Sequence, residues 1–369
     1  MPTKQRRKIA IACQGGGSQT AFTAGALEAL FEHHVQDDFQ IVSLSGTSGG
    51  ALCATLLWYA LMKGDANPTG RLMAFWRDNM AQTPAEQQFN HQIIESLRAT
   101  SKGHLPHFNI SPSDPLAQWL MSLSTSALRP EFTDFPLLLR KHFDFDELLR
   151  WGAQPDAPAL LLGAAEVLSG KLRKFNSRDE PIRIEHLLSS CAVPNIFPAV
   201  EFEGFAYWDG LFSDNPPVNE LVRPKFVGDK NVPDELWIIK INPTGCDEIP
   251  QSAEAISDRR NEMVGNVSLF QQLDTLAWLN DLILHDAFRP EVLAKFDIRQ
   301  PVLIPKCYVD QPDAPYTIPF IEMSAELTHT LDYESKLDRS PENLGKLMAD
   351  GRKQASAFLT QRRKAVHAK

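Results

Sequence analysis

Two short stretches of this 369-residue chain carry residue types suited to acyl transfer. The first, Gly46-Thr47-Ser48-Gly49-Gly50, fits G-x-S-x-G. That pattern sets a serine on a tight strand-to-helix turn, where small neighbours such as Gly46 and Gly50 let a substrate carbonyl approach the hydroxyl. Five residues match by chance often enough that context must confirm the reading. Here the apolar run Phe39–Ser45 precedes the motif and the almost wholly apolar Ala51–Met62 follows it, so a buried strand leads into a buried helix. The helix then directs the partial positive charge of its N-terminus at the hydroxyl. The plainer alternative is a glycine-rich turn in which Ser48 only caps the helix.

The second stretch is Gly15-Gly16-Gly17, at the end of the apolar run Lys8–Cys13. Successive glycines let backbone N–H groups face a developing oxyanion at close range. A dinucleotide loop fits less well, because the sixth position of G-x-G-x-x-G is Thr20 and the next strand ends in Leu44-Ser45-Gly46 with no acidic residue. A phosphate-cradling loop would need Gly-Lys-Ser/Thr, which is absent. Among bases, His285 and His329 follow the serine late enough for a Ser-Asp-His order, but both sit in segments without a loop signature, which favours packed or solvated rings. His33 with His34, and His104 with His107, lack zinc-ligand spacing, so no metal and no cofactor are assigned.

The elements that must position these groups read as strand, glycine loop, helix, strand, sharp turn and helix over the first 63 residues, with Ser18 as a cap for the first helix. That order implies parallel strands covered by helices. Helices joined by Pro- and Ser-rich connections follow to about residue 150. In that region Phe108, Leu116, Trp119, Leu120 and Phe132 are candidates for an acyl groove or lid, with a plain packed helical layer as the alternative. Strands are expected at Ala159–Leu168 and Lys171–Phe175, a hairpin at Ala199–Trp208 turning at Glu203-Gly204, and a buried strand at Leu236–Ile241. Leu269, Leu273, Leu276, Leu279 and Ile283 mark a long amphipathic helix, and Ser340-Pro341 opens the last one.

Taken as a set, Gly15-Gly16-Gly17, Gly46-Thr47-Ser48-Gly49-Gly50, Ser190-x-Ala192-x-Pro194 and Asp209-Gly210 resemble the patatin-like phospholipase family in order and spacing, over about residues 8 to 220. The resemblance implies an α/β fold: a three-layer α/β/α sandwich with a mostly parallel central sheet over 5–245, with 246–369 as a mainly helical extension packed on it. It implies Ser48 as nucleophile, Asp209 as its base, Gly15, Gly16 and Gly17 as the oxyanion hole, and a lipid ester as substrate. Two departures stand out. The family often has a basic residue and then Gly after the triple glycine, where this chain has Gln19-Thr20, and it often continues Asp-Gly with Gly or Ala, where this chain has Leu211. They motivate a second reading, a non-catalytic patatin-fold protein that binds lipid or a partner, which retention of both Ser48 and Asp209 opposes.

The composition agrees with a globular enzyme. At 43% hydrophobic, with a net charge of −9, the chain is too apolar for disorder and lacks the basic excess of a nucleic-acid binder. The same charge disfavours electrostatic attachment to anionic membranes, so apolar contacts near the active site would make any peripheral contact with a bilayer. Cysteines 13, 53, 191, 246 and 307 form no Cys-x-x-Cys pair and read as buried apolar residues in a reducing compartment. The basic Lys4–Lys8 precedes an apolar run of only Ile9–Cys13, too short for a secretory signal, and the expected location is the cytoplasm.

Overall fold

A computed structural model describes residues 6–106, 111–194, 196–296, 300–305 and 317–367. Lys4, His107, Phe108 and Cys307, singled out above, lie outside the described residues. The chain folds as a three-layer α/β/α sandwich. Its eight-stranded sheet, counted among the described residues, contains β1 (Arg7–Cys13), β2 (Phe39–Gly46), β3 (Ala159–Glu166), β4 (Leu172–Asn176), β5 (Val200–Phe202), β6 (Phe205–Asp209), β7 (Glu235–Lys240) and β8 (Ile321–Glu322). The order is β8-β7-β1-β2-β3-β6-β5, with β4 also paired to β3. The run from β8 through β3 is parallel, and β4, β5 and β6 pair antiparallel.

Strands buried on both faces explain the near-continuous apolar runs of β1, β3 and β7. Ile9, Ile11, Cys13, Leu160, Leu162, Trp237 and Ile239 point into one layer, and Ala10, Ala12, Leu161, Leu236 and Ile238 into the other. The first layer holds α1 (Ala21–Glu32), α2 (Gly49–Lys63), α3 (Gly70–Asn79), α6 (Phe135–His142), α7 (Phe145–Trp151) and α8 (Ile184–Cys191), while α4 (Pro84–Ser101) and α5 (Pro115–Thr125), between α3 and α6 in the chain, add no residue to that core. Of these, α5 buries none of its residues. The second layer is built on Leu269, Phe270, Leu273 and Leu276 of α9 (Ala253–Leu284).

The final helix, α10 (Pro341–His367), returns to the first layer, where Leu344, Leu347, Phe358 and Leu359 join the same core as Phe39 and Trp237. Its backbone touches that of α1, because Gly25 and Gly351 leave no room for a Cβ against Met348 and Phe22. The segment after residue 245 therefore supplies a sheet strand and helices to both layers.

Local signals explain most element ends. Thr83 and Glu86 form a capping box at the start of α4. The Ser340 hydroxyl accepts from the Asn343 N–H at 3.3 Å and opens α10. Positive φ at Glu203 (52°) and Gly204 (82°) makes the two-residue turn of the β5–β6 hairpin. Ser18 differs from expectation: it lies inside a 3-10 turn, Gly17–Thr20, that runs into α1 and makes no cap. Cys13, Cys53 and Cys191 are buried as expected, whereas Cys246 is exposed. Among the described residues no helix is long and apolar enough to cross a membrane.

Candidate active site

The parallel strands β1, β2 and β7 end on the same edge of the sheet, the usual place for chemistry in an open α/β fold. There the glycine loop follows β1, the Thr47-Ser48 turn follows β2, and Asn242 follows β7. Pairing of β3 explains how Asp209 joins them. Leu161 pairs with Ser45 of β2 on one side and Asn176 of β4 on the other, while Ala164 pairs with Asp209 of β6 and Arg173 of β4. So β2 and β6 occupy the same side of β3 and run towards each other. They stop at Gly46 and Asp209, opposite Leu162 and Ala164, about 7 Å apart along the strand.

Ser48 itself has φ 55° and ψ −130°, a left-handed backbone that costs a non-glycine residue free energy. Its side chain makes no capping hydrogen bond, which removes the plain helix-cap reading. Gly46 and Gly50 are buried in the turn, and a Cβ on Gly50 would strike the Cys13 carbonyl. Gly15 lies beside the nucleophile candidate: a Cβ there would fall 2.9 Å from the Ser48 Cβ and 2.6 Å from the Thr47 carbonyl oxygen.

Asp209 is fully buried. One carboxylate oxygen accepts the Leu211 N–H at 2.7 Å, and the other, Oδ2, has no hydrogen-bond partner among the described residues. Burial pushes its pKa up to about 7, against smaller lowering effects of the Leu211 N–H and the Ser48 hydroxyl. The Ser48 hydroxyl thus neighbours the carboxylate without a hydrogen bond to Oδ2.

Four polar groups that the sequence did not single out by role hold these parts together. The Ser190 hydroxyl accepts the Ser48 N–H at 3.0 Å, and the Ala192 carbonyl accepts the Asp209 N–H at 2.9 Å, so one short segment clamps both candidates. That gives Ser190-x-Ala192-x-Pro194 a physical purpose. Asn215 Oδ1 accepts the Gly15 N–H at 2.7 Å. Buried Gln14 accepts the Ile241 and Asn242 N–H groups at 2.8 and 2.9 Å and donates to the Gly265 carbonyl and Asn266 Oδ1. The Gly15 N–H is therefore already engaged, while those of Gly16 and Gly17 carry no hydrogen bond among the described residues.

The histidine alternatives lie elsewhere. His285 is exposed at the end of α9, and His329 is 62% exposed beside Asp247 at 3.2 Å. Among the described residues no group of three or more His, Cys, Asp or Glu could hold a metal. Of the groove candidates, Leu116, Trp119 and Leu120 are exposed on α5, whereas Phe132 is buried under the Arg339 guanidinium at 3.7 Å.

Comparison with solved structures finds VipD from Legionella pneumophila, at 14% identity and a TM-score of 0.39, covering 97% of this chain and 68% of VipD. Two structures of the ExoU–SpcU complex of the Pseudomonas aeruginosa type III secretion system match at 17% identity, with TM-scores of 0.27 and 0.24. They cover 73% and 79% of this chain, which spans only 53% and 60% of the matched chains. No curated protein matches in sequence. Residues 11–222, more than half of the chain, match the family described as Patatin-like phospholipase, and they include the glycine loop, Ser48, the Ser190 clamp and Asp209. The chain belongs to the patatin-like phospholipase family of lipid hydrolases.

Proposed function

We propose that the chain is a serine acyl hydrolase that cleaves carboxylic esters of lipids through an acyl-Ser48 intermediate. The observation that carries this reading is the strained, uncapped Ser48 beside a buried Asp209 with one carboxylate oxygen unpartnered among the described residues. Asp209 is the base that takes the hydroxyl proton as oxygen attacks the ester carbonyl, and a pKa of about 7 suits that task near neutral pH. The alcohol leaves with that proton; water then attacks the acyl carbon, giving a proton to Asp209, which passes it to the Ser48 oxygen as the acyl–oxygen bond breaks and the fatty acid leaves. The N–H groups of Gly16 and Gly17 receive the oxyanion, and Gly15 anchors the loop to Asn215.

Residues 15–215 carry all these groups, and the segment after residue 245 completes the same sandwich with a strand and helices in both layers. Peripheral contact with a lipid surface falls to α5, which exposes Leu116, Trp119, Leu120, Met121 and Leu123 and bears no charge.

The test is labelling of the purified chain with a fluorophosphonate, followed by hydrolysis of a chromogenic fatty-acyl ester. Wild type should label and turn over, and Ser48→Ala should lose the label and at least about 10⁴-fold in kcat. Equal labelling of Ser48→Ala would end the proposal.

A further inference from the structure

Gln19 and Thr20, the two residues at which this chain leaves the family pattern after the triple glycine, are the two that grip the glycine loop. The Gln19 N–H donates to the Gly16 carbonyl at 3.1 Å, and Thr20 Oγ1 donates to the Gly17 carbonyl at 2.6 Å. A trans peptide is planar, with its C=O and N–H pointing opposite ways, so a bond to the Gly16 carbonyl also aims the Gly17 N–H. The Thr20 hydroxyl would collide with a Cβ on Gly49, the residue after Ser48, so it sets the loop against the start of α2 as well. A glycine at position 20 would offer no hydroxyl for the bond to Gly17.

Gln19 is held in turn from far along the chain. Its side chain is buried, and Nε2 donates to Ser335 Oγ at 2.8 Å and to the Asp332 carbonyl at 3.4 Å. The Ser335 hydroxyl gives its proton to that same carbonyl at 2.5 Å, so both oxygens present lone pairs and only the amide nitrogen of Gln19 suits them. Segment 332–336 lies beyond the family match, and it is fastened at both ends. Arg98 of α4 donates to Asp332 Oδ2 at 2.7 Å, and Ser101 donates to Glu334. Lys336 Nζ donates at 2.8 Å to Asn242 Oδ1, and the Asn242 N–H donates to Gln14 at 2.9 Å. The Lys336 carbonyl leaves no room for a Cβ on Gly17, whose φ of 56° already favours glycine.

We infer that Gln19 and Thr20 are positioning residues for the oxyanion donors, and that segment 332–336 is the anchor that holds them in place. The inference rests on the hydrolase reading and adds to it the parts that keep the Gly17 N–H aimed while charge builds on the carbonyl oxygen. It also changes the meaning of the two departures from the family pattern. Gln19 and Thr20 hold the loop by hydrogen bonds of their own, so a changed sequence here is compatible with a working oxyanion hole. Neither side chain is asked to touch the reacting atoms. Loosening either one is therefore felt in the transition state and little in ground-state binding.

The test is steady-state hydrolysis of a chromogenic fatty-acyl ester by the full-length chain, with melting temperature measured alongside. Thr20→Val keeps the shape and deletes the hydroxyl; kcat should fall about tenfold or more, with KM within about twofold of wild type. Thr20→Ser restores the hydroxyl and should recover most of kcat. Gln19→Ala and Ser335→Ala should each lower kcat, and the double variant should be no slower than Gln19→Ala, because both changes delete the same bond. Thr20→Val and Gln19→Ala with kcat within about twofold of wild type overturn the inference. So does a Thr20→Ser protein as slow as Thr20→Val, or losses at 19 and 335 that multiply. A fall confined to melting temperature makes these bonds structural only and overturns it too. In each of those cases wild type still turns over and the hydrolase reading stands; a wild type with neither turnover nor fluorophosphonate labelling removes both.

Discussion

Asn215 Oδ1 accepts the Gly15 N–H at 2.7 Å, so the chain leaving Asp209 holds the start of the glycine loop. Asn215 is itself fixed, its N–H donating to Ser268 Oγ at 3.1 Å and its Nδ2 to the Gly265 carbonyl at 3.3 Å. Asn215→Ala leaves a buried Gly15 N–H without an acceptor and lets the loop shift. We expect kcat to fall about 10- to 100-fold with a smaller change in KM, since a loosened oxyanion donor is felt mainly in the transition state. Asn215→Asp keeps the acceptor but adds negative charge beside the oxyanion, and should lower kcat further than Ala. Steady-state kinetics on one acyl ester decide both.

The raised Asp209 carboxyl makes two linked predictions. Its working form is the carboxylate, so kcat/KM should rise with pH through an apparent pKa of about 7. Stability should move the other way. The folded value lies above the ordinary value of about 3.9, so the buried charge costs nothing at low pH, costs more between about 4 and 7, and costs fully above that. Asp209→Asn should therefore gain melting temperature over wild type at pH 8 and little at pH 4. A kcat/KM profile flat from pH 5 to 9, or an Asn variant with no gain at pH 8, removes this account of Asp209.

Ser48 keeps φ 55° against its own preference, held by the Ser190 hydroxyl on its N–H and by the helix that begins at Gly49. Such strain costs about 1–3 kcal/mol, and glycine gives back about 0.5–1 through the unfolded chain. Ser48→Gly should thus be stabilised by about 1 kcal/mol relative to wild type, whereas Ser48→Ala keeps the Cβ and the strain. Both should be inactive. Urea unfolding of the three proteins measures the difference, and a Gly variant less stable than Ala would show that the turn is relaxed.

What could be read in the sequence was local. Gly46 to Gly50 between two apolar runs, Glu203-Gly204 at a hairpin and Ser340-Pro341 before a helix carry their signals within a few residues, and each forms the expected element. The clamps are not local. Ser190 reaches Ser48 across 142 positions and Asn215 reaches Gly15 across 200, and no spacing rule predicts such contacts. The Asp209 pKa is equally hidden, because it follows from burial by the assembled sheet. Nor does the amphipathic pattern of α10 tell which layer it enters; that depends on Gly25 and Gly351 letting two helix backbones touch.

The last helix is fastened by an ion pair that can be tested alone. Glu235, fully buried on β7, accepts from Arg362 of α10 at 2.8 and 3.2 Å, from Arg7 of β1 at 2.8 Å and from the Trp237 indole at 3.0 Å. Burial alone would raise its carboxyl, but Arg362, Trp237 and Arg7 outweigh that and hold it below the usual range. The stabilisation is present above the unfolded value of about 4.3 and fades as pH falls through the folded one. Glu235→Gln strands two guanidinium groups, one of them buried, and should cost about 3–5 kcal/mol at pH 7. Replacing Glu235 and Arg362 together by Leu and Met should cost less than Glu235→Gln, because no buried charge is left unpaired. Urea unfolding at pH 7 and pH 4 checks the size and the sign. A Glu235→Gln protein as stable as wild type would mean that apolar packing of Leu344, Leu347, Phe358 and Leu359 holds α10 without the pair.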